Sequence, residues 1–277
     1  MRTRQHALGQ NFLHHKPTIT KIAALVASEI LEIGQLPKRP KTLLEVGPGK
    51  LALTHALIPI AIRNTLPMVL VERDRYLEEG IRQGVVNEKN NNITLYLMDA
   101  ATEKFTNLID ELKNSGQTPL YFASNLPYSA SSKILANLCY RSSDICGATI
   151  MVQKELAQRM AAQAGTADRG AFSLLIQSYF EVQIAFDVGP GAFSPPPKVK
   201  STVLKLRPLA APATTGLDSP KKFEHFCKML FSQRRKMIRN MIPPEKHELF
   251  PKLGISGTER PEVLSLNTVV ELYKAIS

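Results

Sequence analysis

The sequence predicts an α/β protein built on an open, mostly parallel sheet with one antiparallel strand and helices on both faces, followed by a small all-helical C-terminal domain. Three observations lead there. Short apolar runs alternate with helical patterns across residues 42–153, which implies parallel pairing with crossover helices. Two later runs are separated only by Gly189–Pro197, too short for a crossover, so they should be antiparallel neighbours. Residues 208–220 have linker composition, and helical patterns follow them. The 277 residues suit one large and one small domain, divided as 1–208 and 209–277.

The first strand, Thr42–Val46, follows the punctuated stretch Pro37–Lys41 and runs into the turn Gly47-Pro48-Gly49. Helical periodicity covers Leu51–Ile62, although Pro59 should end or kink that helix. Met68–Glu72 is the next strand and leads into a polar helix from Asp74 to Gln83. Ile93–Leu97 closes on Met98-Asp99, and Leu120–Ser124 closes on Asn125. Ala148–Gln153 leads into a helix over Glu155–Ala162, and Tyr179–Val188 and Ser201–Leu206 form the antiparallel pair. Beyond the linker, Lys221–Met241 reads as a helix broken near Ser232. Two more follow over Glu245–Phe250 and Thr268–Ile276, the last capped by Asn267.

Hydrophobic residues make up 44% and charged residues 21%, a globular balance that excludes a disordered chain. No run approaches the roughly 18 apolar residues of a membrane span, and no apolar stretch of signal type follows the basic start, so a cytoplasmic protein is expected. Cys139, Cys146 and Cys227 lack a Cys-x-x-Cys spacing, which fits a reducing compartment. No histidine has a partner at metal-ligand spacing, and no metal is implied. Net charge is +11, which makes a polyanion a strong candidate partner. Arg2, Arg4, Lys16 and Lys21 precede the first acid, and Arg234, Arg235, Lys236 and Arg239 form a second basic group. On a continuous helix Phe231, Arg235 and Arg239 would share a face.

In an open parallel sheet, ligands bind outside the carboxyl ends of the strands. Glu45 and Gly47, Glu72, Asp99 and Asn125 all lie at such ends. Gly47-Pro-Gly-Lys-Leu-Ala52 also matches a dinucleotide fingerprint, with Glu72 about 20 residues further on as a ribose ligand, so a nicotinamide-dinucleotide oxidoreductase is one reading. Against it, Glu45 would repel a pyrophosphate but suit a cation. Asp99 can accept a hydrogen bond from an adenine amino group. Adenosine, positive charge and no phosphates describe S-adenosylmethionine. Asn125-Leu126-Pro127-Tyr128 is a polar turn followed by an aromatic face, a holder for a planar amine.

These residues resemble the ribosomal-RNA adenine N6,N6-dimethyltransferases over nearly the whole chain. Gly9-Gln-Asn-Phe-Leu13 is similar to that family's opening motif. Glu45–Gly49, Glu72, Met98-Asp-Ala100 and Asn125–Tyr128 resemble its successive methyltransferase motifs. Ala192–Ser201 resembles its target-base loop, and Phe231–Lys236 its basic C-terminal helix. The resemblance implies a Rossmann-like class I methyltransferase sheet and S-adenosylmethionine as cofactor, with contacts from Gln10, Asn11, Leu13, Glu45, Gly47, Gly49, Glu72, Asp99, Ala100 and Asn125. It implies that the amino group is held by the Asn125 side chain and the Leu126 carbonyl. Pro127 would fix that turn, and Tyr128 and Phe193 would stack the base from two sides.

Arg234, Arg235, Lys236 and Arg239 would grip RNA phosphates. The expected substrate is ribosomal RNA in an immature small subunit, dimethylated by a monomeric enzyme. The related large-subunit methylase of macrolide resistance, and a non-enzymatic assembly factor, are the alternatives. Two departures stand out: Leu51 where the family usually has a third glycine, and Lys200 where it commonly has Asp.

Overall fold

The computed structural model describes residues 10–86, 92–217, 219–233 and 235–277. Its strands in chain order are β1 (Phe12–Leu13), β2 (Thr42–Val46), β3 (Met68–Glu72), β4 (Ile93–Leu97) and β5 (Leu120–Asn125). They are followed by β6 (Ile145–Gln153), β7 (Phe180–Val188), β8 (Phe193–Ser194) and β9 (Ser201–Pro208). Seven of them form one sheet in the order β4-β3-β2-β5-β6-β9-β7, and β1 pairs with β8 in a second, two-stranded ladder. Strands β2 to β6 are mutually parallel, and β9 runs antiparallel to β6. Leu209 N–H donates to the Tyr179 carbonyl, while Thr202 at the other end of β9 donates to Asp187 at the far end of β7. That register makes β7 and β9 antiparallel, so β9 is the single reversed strand, as its short connection required.

β2 and β3 are buried at every position, which is why they read as continuous apolar runs rather than alternating ones. The chain order reverses between β2 and β5, and the turns after β2, β3, β4 and β5 all open at the same sheet edge. The helix Thr54–Arg63 runs through Pro59 instead of ending there. His55, whose carbonyl loses its partner, is exposed and can bond water, while Leu57, Ile60 and Ala61 anchor the inner face. The predicted polar helix is three short pieces: a 3₁₀ turn at Arg75–Leu77, an α turn at Glu78–Ile81 and a π turn at Arg82–Val86.

The chain forms two compact units, one of the described residues up to Ala157 with Gln183–Pro208, the other of Gln158–Val182 with Leu209–Ser277. The contiguous division at residue 208 therefore needs correction for Gln158–Val182. Leu174, from the helix Ala171–Gln177, is buried in the same apolar cluster as Phe223, Leu230, Ile238 and Val269, and this cluster is the core of the second unit.

The second unit corrects three further expectations. The helix Pro220–Phe231 ends at the break expected near Ser232, but beyond it only a 3₁₀ turn at Ile238–Asn240 stands where helix was expected up to Met241. Past it, Ile238 N–H donates to the Glu259 carbonyl and Arg239 N–H to that of Gly257, so the backbone is paired to another segment and cannot hydrogen-bond as an α-helix. Phe231, Arg235 and Arg239 consequently share no helix face. Glu245–Phe250 resolves into a 3₁₀ turn at Pro244–Lys246 and one α turn at Leu249–Lys252. The last helix, Leu266–Ile276, is capped by Ser265, whose hydroxyl accepts from Thr268 N–H, and Asn267 lies inside it. No helix among the described residues is long and apolar enough to cross a membrane.

Candidate active site

One cavity opens at the carboxyl ends of β2, β3, β4 and β5. Its floor comes from the turn after β2, where Gly47 (φ 73°) and Gly49 (φ 57°) take left-handed backbone that suits glycine. Gly49 is also confined by packing, since a Cβ there would stand 3.1 Å from the Phe12 ring. Leu51 is the third left-handed residue of this turn (φ 66°), which explains why a glycine is usual there. It is not among the residues lining the cavity, so this departure leaves the pocket itself open.

Glu45 and Glu72 bring two acids to the cavity. Glu72 Oε1 accepts from the backbone N–H groups of Arg73 and Asp74, both at 2.9 Å, and Oε2 from Gly49 at 3.2 Å. Burial pushes its carboxyl up, and those three bonds oppose the shift. Glu45 is only 1% exposed, and its Oε2 has no hydrogen-bond partner among the described residues. Burial pushes Glu45 up to about 8 and Glu72 adds to the shift; the Thr54 hydroxyl is near enough to temper it without forming a good hydrogen bond. After β4, Asp99 Oδ1 accepts from Ala101 N–H at 2.9 Å, and Oδ2 pairs with Arg73 at 3.4 Å. Ala100 lines the wall beside it.

The fourth side is Asn125–Tyr128. Ser124 donates to the Val46 carbonyl, fastening β5 to β2 directly beneath the turn. Leu126 N–H donates to Met151 O at 3.0 Å, and the Pro127 carbonyl accepts from Ala130 N, Ser131 N and Ser131 Oγ. With the backbone held on both sides, Asn125 Oδ1 is a buried acceptor without a partner among the described residues. The Tyr128 hydroxyl meets Ser201 Oγ at 2.5 Å, which ties its ring to the start of β9. Burial raises the Tyr128 pKa, partly offset by that bond.

The opening segment completes the wall. Gln10 Nε2 donates to Asp74 Oδ2 at 3.1 Å. In the β1-β8 ladder Phe12 pairs with Ser194 and Leu13 with Phe193. Gln10, Asn11 and Leu13 thus join Glu45, Gly47, Gly49, Glu72, Asp99, Ala100 and the Asn125–Tyr128 turn around one cavity. Phe193 does not join them. It is 2% exposed in the apolar core, beside Leu13 in the β1-β8 ladder.

The basic residues belong to the other unit. Arg235 and Lys236 are exposed in the turn beyond Phe231, and Arg234 lies outside the described residues. Arg239 donates to the carbonyls of Gly257 and Ser256, at 3.4 and 3.3 Å, so it braces its own loop. Sequence reasoning missed Phe12, Lys50, Arg73 and Ser201. Phe12 and Ser201 were inside recognised motifs, but their contacts involve partners far along the chain. The Lys50 ammonium lies 4.8 Å from the centre of the Phe12 ring, a cation–π contact at the rim.

The donor and acceptor pattern discriminates between ligands. The Gly49 N–H that a pyrophosphate would use is already engaged by Glu72, and a buried, unpaired Glu45 offers a phosphate no positive charge. Two buried, unsatisfied oxygens and a second acid suit a ligand rich in N–H and O–H donors that also brings positive charge, and the residues present therefore fit S-adenosylmethionine.

A family model described as ribosomal RNA adenine dimethylase matches residues 1–277. The ribosomal RNA small subunit methyltransferase A of Aeromonas hydrophila subsp. hydrophila is 35% identical over 270 residues, 97% of this chain and 92% of that protein. The protein of the same name from Pseudomonas aeruginosa is 33% identical over 270 residues, 97% and 93% of the two chains. Among solved structures, a dimethyladenosine transferase from Plasmodium falciparum has a TM-score of 0.73 at 21% identity, covering 94% of this chain and 95% of that one. The 23S rRNA methyltransferase ErmE has a TM-score of 0.63 at 22% identity, covering 96% and 99%. These two share the fold.

Proposed function

The chain belongs to the ribosomal RNA adenine dimethylase family, and on that premise we infer how its own residues dimethylate the N6 amino group of adenosines in small-subunit ribosomal RNA. Bound S-adenosylmethionine supplies an electrophilic methyl group on its sulfonium. No metal or covalent enzyme intermediate is needed for such an in-line displacement, which depends on alignment.

The observation that carries the reading is the unpartnered Asn125 Oδ1 in the cavity it shares with Glu45 and Glu72. An exocyclic adenine nitrogen is a weak nucleophile because its lone pair is delocalised into the ring. By accepting from its hydrogens, Asn125 Oδ1 and the Leu126 carbonyl favour a tetrahedral nitrogen and aim the pair at the methyl group. Pro127 holds this turn in place, and Tyr128, fastened by Ser201, offers a face to the base, a stack worth about 1–3 kcal/mol. Glu72 suits the ribose hydroxyls, Asp99 the adenine amino group, and Glu45 the positive charge. Gln10, Asn11 and Leu13 close the near side. The unfilled acceptor on Asn125 is available again after the first transfer, when the monomethyl product still has one hydrogen to donate.

Arg235 and Lys236, together with Arg234, suit phosphate contacts that position RNA without reading its bases. The protein acts as a cytoplasmic monomer on immature small subunits. The small-subunit designation of its 33–35% identical relatives supports this choice over the large subunit. The test is tritiated-methyl incorporation into purified immature small and large subunits, with mass spectrometry of the product nucleoside. Dimethyladenosine in the small-subunit RNA is the expected product; label confined to the large subunit would reverse the assignment.

A further inference from the structure

Among the described acids of its unit, Glu45 differs in keeping a buried oxygen with no partner. Glu29, Asp99 and Asp144 each face a cation, within 3.2, 3.4 and 3.1 Å respectively, and Glu72 accepts from three backbone N–H groups. Glu45 pairs with none among the described residues, and its Oε2 is both buried and unpartnered. None of the groups around it carries a positive charge. Glu72 on β3 is a second acid, Thr54 on the helix Thr54–Arg63 is neutral and only tempers the effect of burial, and Asn125 on β5 offers another bare acceptor. Lys50, Arg73 and Asp99 line the same cavity, and neither cation reaches Glu45. An ionised carboxylate in such a place lacks both water and a counter-charge; a protonated one needs neither.

We infer that Glu45 is the charge selector of the site: neutral while no cation is present, it ionises when the positively charged part of S-adenosylmethionine enters, releasing one proton per ligand bound. The inference rests on reading the cavity as the cofactor site. In the exchange the carboxyl O–H bond breaks, the proton passes to solvent, and the new carboxylate becomes the counter-ion of the ligand. Since burial already pushes this carboxyl up to about 8, nearly every molecule is protonated below neutrality. A nucleoside that keeps the adenosine part but has no positive charge gains nothing from Glu45. Selection for the charged ligand is thereby built into one side chain.

Titration calorimetry of the full chain at pH 6.5, in two buffers of different protonation enthalpy, counts the protons released. S-adenosylmethionine should release about one proton per site, and 5′-methylthioadenosine, which is uncharged, none. The affinity for the charged ligand should rise about tenfold from pH 6 to pH 7. Glu45→Gln should bind it without proton release and without that pH slope. Binding to the wild type without proton release, or release that persists in Glu45→Gln and so belongs to Glu72, overturns the inference and leaves the cofactor site standing. If neither ligand binds, the cofactor reading itself falls. The wild-type proton count decides the matter even if the variant does not fold.

Discussion

The Leu51 Cδ1 atom lies 2.5 Å from the point a Cβ would occupy on Gly84. Leu51 closes the cofactor turn in left-handed backbone, and Gly84 sits in the π turn Arg82–Val86. A leucine in that conformation costs about 1 kcal/mol over glycine, so its side chain must be buried favourably to persist. At 6% exposure it is, and the missing side chain of Gly84 provides the room.

Gly84→Ala should therefore destabilise the protein by about 1–3 kcal/mol through overpacking. In a Leu51→Gly background the same change should cost almost nothing. Denaturant melts of the four proteins in the cycle measure the coupling; additive effects would mean that Leu51 does not fill that space.

Asn125→Ala should lower kcat on the order of 100-fold while the dissociation constant for S-adenosylmethionine changes little. Because Oδ1 makes no bond among the described residues, the variant should melt within about 0.5 kcal/mol of wild type. Single-turnover methylation together with thermal unfolding tests both halves. A large loss of stability would show that Asn125 serves the fold.

Ser201→Ala frees the Tyr128 hydroxyl, and Tyr128→Phe removes the same bond from its other side. Each should lower kcat/KM by about tenfold, and the double variant should be no worse than either alone, because the two residues act as one unit. Steady-state kinetics on small subunits checks this. Multiplicative losses would separate their roles.

In the C-terminal unit, Arg239 differs from its neighbours. Reversing charge at Arg235 and Lys236 should flatten the salt dependence of RNA binding, by about 0.7 in log–log slope for each phosphate of single-stranded RNA that is no longer neutralised. Arg239→Ala should leave that slope unchanged and lower the melting temperature, because its guanidinium holds the 256–257 carbonyls. Filter binding across a salt series separates the two outcomes.

Glu29 sets an acid limit on stability. Burial alone would raise its pKa, but the bonds from Arg207 (2.8 Å) and Lys205 (3.2 Å) outweigh burial and lower it. A depressed carboxyl contributes stability that is complete above its unfolded pKa and lost as pH falls through the folded one. Glu29→Gln should thus cost roughly 3 kcal/mol at pH 7, by stranding its two cations, and progressively less below pH 4. Urea midpoints measured from pH 7 to pH 3 report the difference.

The sequence by itself determined the sheet and the polar residues that gather around the cavity at its strand ends. Thr42–Val46, Met68–Glu72 and Ile93–Leu97 are strands over the very residues that their apolar runs marked, and an acid or amide closes each parallel strand that faces the cavity. Such signals are local: a buried strand must be apolar along its whole length, and a turn at its end must carry polar or glycine residues. Contacts between distant segments were decided only by the tertiary structure. The pairing of β8 with β1, which buries Phe193 beside Leu13, is one such contact. Helix does not resume beyond the break at Ser232 because Ile238 and Arg239 find backbone partners about 20 residues later, at Glu259 and Gly257. The anchoring of Tyr128 by Ser201, 73 positions away, and the space that Gly84 leaves for Leu51 have the same origin. Periodicity records which side of an element is buried, but which residue meets it there is settled only when the whole chain has packed.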